Sequence, residues 1–258
     1  SNDPIKGLLI DMDGVIYSGE EAIPGSPAAI RLIQERGLKI VFLTNNARRS
    51  PNGYVRKLEK LGITIEPENI ITSGVAVGNF VRQLDAPPKV HIIGSAALRK
   101  LVLAAGALES DEAEYVIAGM DLGLNIGDFT VAARHLINGA KLLATNTDAI
   151  IPTQDGPEPE AGPVVAFLEA ASGQQAYNFG KPQQTIFDLA IERAGVPRNS
   201  IVMIGDTLAT DIAGANSAGL RSVLVESGNP IFDLETNLMP TMRAANLEQA
   251  LPLILRNA

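Results

Sequence analysis

The chain has 258 residues, of which 46% are apolar and 4% aromatic, and its formal net charge is −8. That charge would repel the phosphate backbone of a nucleic acid, and the absence of cysteine excludes disulfides and thiolate metal sites. Because no apolar run approaches the roughly 20 residues that cross a bilayer, and no basic-then-apolar signal pattern opens the chain, we expect a cytoplasmic protein without nucleic-acid or membrane partners.

Short apolar runs alternate with helical patterns along the chain. The runs that predict buried strands are residues 7–10, 40–43, 90–93, 115–118, 142–144, 201–204 and 222–225. Proline at the first helical position predicts helix starts at Ser26-Pro27, Ser50-Pro51 and Lys181-Pro182. This alternation predicts an α/β fold with βαβ crossovers and a mostly parallel sheet.

Two irregular stretches indicate a division of the chain. Residues 83–88 form a predicted linker, after which a new set of strand and helix patterns begins, and residues 147–163 are rich in proline. We therefore predict a core built from residues 3–75 and 179–258. An α/β cap of residues 75–178 is inserted into it.

Two acidic residues directly follow the first predicted strand, in the sequence Asp11-Met12-Asp13-Gly14. The carboxyl ends of parallel strands face the crevice where ligands bind, so both carboxylates are expected in a site. The alternative is an ordinary strand-to-turn boundary, where Asp and Gly are common. Gly14 has the same two interpretations, since it can let backbone N–H groups close on a phosphate or simply make a turn.

Polar segments occupy equivalent positions after later strands or at the start of the following helix. They are Thr44-Asn45-Asn46, Lys181-Pro182 and the run from Gly205 to Asp211, which includes Asp206. Each residue also has an individual structural explanation: Thr44 could be a turn residue and Lys181 a solvated surface lysine. Asp206 could be a helix cap and Asp211 an exposed acid in the first turn of a helix. Their shared position predicts that they converge on one crevice.

In this order of motifs, D-x-D, Thr, Lys and G-D-x-x-x-x-D, the chain resembles the haloacid dehalogenase superfamily of phosphotransferases. The large insert, together with Thr44-Asn45-Asn46 and the run Ala144 to Asp148, resembles the NagD or 4-nitrophenylphosphatase branch. The resemblance implies a Rossmann-like core with an inserted α/β cap, hydrolysis of small phosphomonoesters, and a homodimer joined through the caps.

The chemistry of phosphoryl transfer suits these residue types. Asp11 is ionised at neutral pH and can attack phosphorus without a base, forming an aspartyl-phosphate. Mg²⁺ prefers oxygen ligands and can be held by Asp11 and Asp206, and the resemblance implies that the Asp13 carbonyl completes the set. The Asp13 side chain is then free to act as general acid and base.

The remaining motif residues are expected around the phosphoryl group. Thr44 and Lys181 can donate to phosphoryl oxygens, with Asn45 and Gly14 beside them. Asp211 is expected behind the metal ligands or on a metal-bound water. His91 and His135 belong to no motif and are interpreted as structural.

Substrate choice is expected to come from the cap. The candidates are Asn146, Asp148 and the loop 151–162, which contains Asp155, Glu158 and Glu160. The alternative is that this acidic, proline-rich loop is a solvated connection. The sequence leaves four substrate classes open: nucleoside monophosphates, sugar phosphates, phosphoglycolate and pyridoxal phosphate. It also leaves two alternative functions open, a phosphotransferase or mutase and a non-catalytic phosphometabolite-binding module.

Overall fold

A computed structural model describes residues 3–153, 155–228 and 238–256. Gln154 of the predicted cap loop and residues 229–237 of the predicted core lie outside the described residues. Within the described part of the chain, no helix has the length and hydrophobicity needed to cross a bilayer.

The strands are short, as is usual in α/β proteins. In chain order they are β1 (Gly7–Ile10), β2 (Tyr17–Ser18), β3 (Glu21–Ala22), β4 (Lys39–Thr44), β5 (Ile70–Thr72), β6 (Lys89–Ile93), β7 (Leu108–Glu109), β8 (Tyr115–Ala118), β9 (Lys141–Ala144), β10 (Ile150–Ile151), β11 (Glu158–Pro159), β12 (Tyr177–Asn178), β13 (Ile201–Gly205), β14 (Arg221–Val225) and β15 (Met242–Ala244).

The helices lie mainly between these strands. They are α1 (Ser26–Glu35), α2 (Pro51–Lys60), α3 (Ser73–Arg82), α4 (Ala96–Ala104), α5 (Ile126–Ile137), α6 (Ala161–Ser172), α7 (Gln184–Ala194), α8 (Ala213–Ser217) and α9 (Leu247–Leu255). Single turns of 3₁₀-helix at Pro67–Asn69 and Arg198–Ser200 precede β5 and β13.

Two parallel sheets carry the architecture. The core sheet has the order β15-β14-β13-β1-β4-β5, and the cap sheet has the order β12-β9-β8-β6-β7. Every residue of β1 is buried because both neighbours pair with it in parallel, with Gly7 opposite Ile201 on one side and Lys39 on the other. The predicted α/β fold with a parallel-sheet core and a second α/β unit is confirmed.

The two sheets take their strands from different parts of the chain. The core sheet is interrupted after β5, which ends at Thr72, and the cap sheet takes the strands between Lys89 and Asn178. One hydrophobic cluster includes residues of both sheets, among them Leu43 and Ile92, and fully burying such side chains contributes about 1.5–3 kcal/mol each. The boundaries at residues 75 and 178 stay predictions.

Two predicted helix starts agree with the observed helices and the third is wrong. α1 begins at Ser26, and α2 begins at Pro51 with the Ser50 hydroxyl accepting from the Gly53 N–H at 3.2 Å. α7, however, begins only at Gln184. The Lys181–Pro182 peptide, which is cis, precedes the helix. The N–H and the carbonyl oxygen of Lys181 form hydrogen bonds with the Asn45 side chain and make no helical hydrogen bonds.

Features of the cap surface bear on two further predictions. The rings of His91 and His135 stack on each other at 4.8 Å between centroids, and neither residue lines the cavity described below. Large apolar side chains are exposed on the cap, including Leu122, Ile126 and Ile137. The homodimer through the caps stays a prediction.

Candidate active site

A cavity of about 390 Å³ lies where the carboxyl ends of β1, β4 and β13 meet the cap. Such strand ends collect ligand-binding loops in parallel sheets. The core lines the cavity with Asp11, Asp13, Thr44, Asn45, Lys181 and Asp206. The cap lines it chiefly with Asp148, Ile150, Ile151, Pro152 and Glu160. Residues from all the motifs therefore share one cavity.

Lys181 joins the first and last acids of the motifs. Its Nζ donates to Asp11 Oδ1 and to Asp211 Oδ1, both at 2.7 Å, and to the Leu43 carbonyl oxygen at 3.2 Å. Burial disfavours its charge, but Asp11 and Asp211 outweigh that effect and raise the pKa of Lys181 well above its usual value. Lys181 is thus a fixed, buried cation and not a solvated surface lysine.

Asp211 returns to the end of β13 because the chain turns tightly there. Residues Leu208–Ile212 form a π-helical turn, and Asp211 Oδ2 accepts from the Thr207 N–H at 3.1 Å. A Cβ on Gly205 would lie 2.3 Å from the Asp211 side chain, so glycine leaves the space that this side chain occupies. One local structure thus explains both the glycine before Asp206 and the position of the second acid.

Asp206 is packed between two glycines. A Cβ on Gly14 would lie 2.1 Å from Asp206 Oδ2, and a Cβ on Gly228 would lie 1.7 Å from it. Gly14 also has a φ of 79°, and its N–H donates to the Tyr17 carbonyl oxygen at 2.8 Å. Gly14 therefore makes room for Asp206 and gives its own N–H to the turn. That the neighbouring N–H groups close on a phosphate stays a prediction.

The acids at this end of the cavity form a cluster that fits a metal ion. Carboxylate oxygens of Asp11, Asp206 and Asp211 lie within 4.8 Å of one another. Burial, and then Asp211, raise the pKa of Asp206 to about 7. Burial also raises the pKa of Asp11 well above its usual range, which Lys181 opposes and the other two acids reinforce. A divalent cation would relieve this repulsion, and an all-oxygen donor set suits Mg²⁺.

Asp13 lies in a different environment from Asp11. The Tyr17 hydroxyl donates to Asp13 Oδ2 at 3.3 Å, and Lys57 Nζ lies 3.5 Å from the centre of the Tyr17 ring. Burial raises the pKa of Asp13, and Lys57 and Tyr17 oppose that shift. A carboxyl with a raised pKa is suited to holding and returning a proton. Sequence reasoning missed Tyr17 and Lys57, since neither lies within a motif.

Thr44 is the last residue of β4 and Asn45 follows it, and both line the cavity. Thr44 is buried, and its Oγ1 accepts from the Asn46 N–H at 3.2 Å. Asn45 Oδ1 accepts from the Lys181 N–H at 2.6 Å, and its Nδ2 donates to the Lys181 carbonyl oxygen at 3.1 Å and to Asp148 Oδ2 at 3.0 Å. The side chain of Asn45 is therefore engaged by the protein and holds Lys181. Asn45 also lines the cavity, and its contact with phosphate stays a prediction.

The two cap residues predicted to contact substrate have different positions. Asp148 lines the cavity, whereas Asn146 is fully buried and does not. Asn146 Nδ2 donates to the Asn45 carbonyl oxygen at 2.8 Å, and its Oδ1 accepts from the Asp148 N–H at 3.1 Å. The prediction for Asn146 is corrected, because its side chain joins the strand ends β4 and β9 and supports Asp148.

An ion-pair network between core and cap was also missed. Arg48, four residues after Thr44, pairs with Glu158 at 3.0 Å and with Glu160 at 3.1 Å. Burial raises the pKa of Glu160, which Arg48 opposes. Of the candidate acids in the cap loop, Glu160 lines the cavity, whereas Asp155 is exposed and does not. No motif pointed to Arg48, because its partners lie 110 and 112 residues away.

Sequence comparisons place the chain among known hydrolases. The model of the haloacid dehalogenase-like hydrolase family matches residues 8–107, and a second HAD-hydrolase-like model matches residues 178–250. The chain is similar to the 5′-nucleotidase YutF of Bacillus subtilis, with 31% identity over 96% of this chain and 98% of that protein.

Solved structures give the same result. The 4-nitrophenylphosphatase of Thermotoga maritima superposes with a TM-score of 0.91 at 30% identity, covering 98% of both chains. NagD of E. coli K-12 superposes with a TM-score of 0.87 at 28% identity, covering 95% of this chain and 98% of that one. The chain therefore belongs to the haloacid dehalogenase-like hydrolases and is an enzyme of their NagD-like branch.

Proposed function

We propose that the chain hydrolyses small phosphomonoesters in the presence of Mg²⁺ through an aspartyl-phosphate on Asp11. The observation that carries the proposal is the buried Asp11 carboxylate, held by Lys181 at 2.7 Å within a cluster of three acids at the cavity wall. The similar proteins named as a 5′-nucleotidase and a 4-nitrophenylphosphatase support the same class of reaction.

In the first half-reaction, the Asp11 oxygen that Lys181 does not hold attacks phosphorus while the ester P–O bond breaks. Lys181 offsets the charge that accumulates between nucleophile and phosphoryl group, and Thr44 donates its hydroxyl to a phosphoryl oxygen. Asp13 gives its proton to the departing alkoxide, for which a raised pKa is suited.

In the second half-reaction, Asp13 accepts a proton from water as the water oxygen attacks the phosphorus of the acyl-phosphate. The Asp11–phosphorus bond breaks, inorganic phosphate leaves, and the Asp11 carboxylate is restored. Asp13 has then regained the proton that it gave to the alcohol, so the cycle is closed.

The metal would be held by the carboxylates of Asp11 and Asp206 and the carbonyl oxygen of Asp13. When bound, Mg²⁺ supplies positive charge to the phosphoryl oxygens and to the acid cluster. Asp211 also belongs to the cluster, but both of its oxygens are engaged, by Lys181 and by the Thr207 N–H. This supports a role for Asp211 in holding Lys181 and the loop of Asp206 in place.

The test is hydrolysis of 4-nitrophenyl phosphate with Mg²⁺, with excess chelator, and with Mg²⁺ returned, together with mass spectrometry of acid-quenched enzyme. We expect release of phosphate to water only with the metal, and phosphate trapped on Asp11. Full activity in excess chelator would contradict the metal role, and phosphate on another residue would contradict the nucleophile. Transfer to an added alcohol without release to water would favour a phosphotransferase.

A further inference from the structure

The cap end of the cavity differs in chemistry from the end that holds the acid cluster. Asp148 and Glu160 supply carboxyl groups there, and Ile150, Ile151 and Pro152 supply apolar surface. Asp148 Oδ2 accepts from Asn45 Nδ2 at 3.0 Å, so this carboxyl group is fixed in direction. The organic part of a bound phosphomonoester would meet this wall, because the phosphoryl group is held at the other end.

The cation beside the cap end of the cavity is already paired with acidic residues of the protein. Arg48 is the nearest cation to Glu160, and it pairs with both Glu158 and Glu160. Among the described residues that line the cavity, Lys181 is the one cation, and it is held by Asp11 and Asp211. The residues outside the described ranges include no lysine, arginine or histidine.

We propose that this site is selective for phosphomonoesters whose organic part carries no anionic group, that is, for an uncharged or cationic alcohol moiety with some apolar surface. The inference rests on the proposed phosphatase function and deepens it. Of the substrate classes that the sequence left open, it disfavours phosphoglycolate, whose organic part is a carboxylate.

The physical reason is the absence of compensation for a second anion. Burial raises the pKa of both Asp148 and Glu160. A carboxylate placed beside these two carboxyl groups would either be repelled by their negative charge or drive one of them to take up a proton, and both cost binding free energy. Like charges a few ångströms apart at the surface of a protein repel strongly enough to lower kcat/KM by about ten- to hundredfold. A hydroxyl or ammonium group in the same place can instead donate to Asp148.

The first experiment uses the unmodified enzyme with Mg²⁺ and two esters of almost equal size, glycerol 3-phosphate and 3-phosphoglycerate. They differ in one group, a hydroxymethyl in the first and a carboxylate in the second. We expect kcat/KM to be at least about tenfold higher for glycerol 3-phosphate, and the ratio to fall as ionic strength rises, because salt screens the repulsion. Equal values, or a preference for 3-phosphoglycerate, would overturn the inference.

The second experiment locates the selectivity. Asp148→Asn removes a charge but keeps an oxygen that can accept from Asn45, so the ratio between the two esters should fall several-fold. Asp155→Asn removes the same charge from an exposed position in the neighbouring loop, outside the cavity lining, and should leave the ratio unchanged. A ratio that Asp148→Asn leaves at the wild-type value would exclude Asp148 as its origin and overturn this assignment.

Hydrolysis of 4-nitrophenyl phosphate by each variant separates the possible failures. If the unmodified enzyme does not hydrolyse it, the proposed function fails. If it does so but treats the two glycerol-type esters alike, only the substrate inference fails. Since the wild-type ratio needs no variant, the inference stays testable even if Asp148→Asn does not fold.

Discussion

The two ends of the cavity use carboxyl groups in opposite ways. At the core end, Asp11, Asp206 and Asp211 crowd around one lysine, in a geometry that a divalent cation would stabilise. At the cap end, Asp148 and Glu160 lie beside apolar side chains, and the nearby arginine is already paired. The difference is that the core end has Lys181 and the acids that would hold a metal ion, whereas the cap end has no cation among its described lining residues.

The two ends are physically joined through Asn45. Its carboxamide binds both backbone groups of Lys181 on one side and the carboxylate of Asp148 on the other. A change at either end can therefore reach the other, and variants at each end should reveal how far the separation holds.

The largest effect is expected at the core end from Asp11→Asn. The substitution removes the attacking carboxylate, so kcat should fall by at least about 10³-fold on every ester, and no phosphoenzyme should form. Steady-state kinetics on several esters and mass spectrometry of quenched enzyme measure this. A loss confined to some esters would mean that Asp11 selects substrate, contrary to the division between the two ends.

Asp13→Asn should lower activity in a way that depends on the leaving group. Alkyl phosphates need the proton that Asp13 supplies, so their kcat should fall by about 10²- to 10⁴-fold. 4-Nitrophenyl phosphate has an acidic leaving group and should lose less in its first step. The measurement is the ratio of the two losses, and equal losses in single-turnover cleavage would argue against a general acid at Asp13.

A smaller effect is expected from Asn45→Ala, which cuts the link between the ends. The buried N–H of Lys181 loses its acceptor, so the free energy of unfolding should fall by about 1–3 kcal/mol. Displacement of Lys181 should also lower kcat about tenfold or more, because small misplacements of catalytic groups are costly. Thermal unfolding and kcat on 4-nitrophenyl phosphate measure the two effects.

The matched control is Asn52→Ala, which removes an exposed carboxamide in the first turn of α2. It should change stability by no more than about 0.5 kcal/mol and leave kcat unaffected. If Asn45→Ala destabilises the protein but leaves kcat at the wild-type value, Asn45 supports the fold without positioning Lys181.

The smallest effect is expected from Arg48→Met, which acts on the contact between core and cap. Losing the guanidinium leaves the buried Glu160 carboxylate without its cationic partner, so KM should rise roughly fivefold, equivalent to about 1 kcal/mol, with kcat changing less. The double variant with Glu160→Gln should lose less than the sum of the single losses, because the two side chains interact. Additive losses would show that the ion pair does not act as a unit.

The sequence alone predicted what depends on neighbouring residues. Apolar runs of three or four residues identified the central strands, and the α/β fold class is confirmed by the two parallel sheets. Because parallel strands end at the same edge of a sheet, acids that directly follow β1 and β13 could be expected in one crevice. Strands of two or three residues, such as β5 and β12, were not predicted, since so short a pattern carries little signal.

The tertiary structure decided which of these polar residues face the cavity and which join its walls. Asn45 and Asn146 both lie close after the end of a strand, yet their side chains have different partners. The Asn45 side chain binds Lys181, 136 residues away, whereas Asn146 is fully buried and donates to the Asn45 carbonyl oxygen. Arg48 likewise has its partners across more than 100 residues. Local patterns encode hydrophobic periodicity and turns, but contacts of this kind exist only once distant segments of the core have come together and the cap has packed against them.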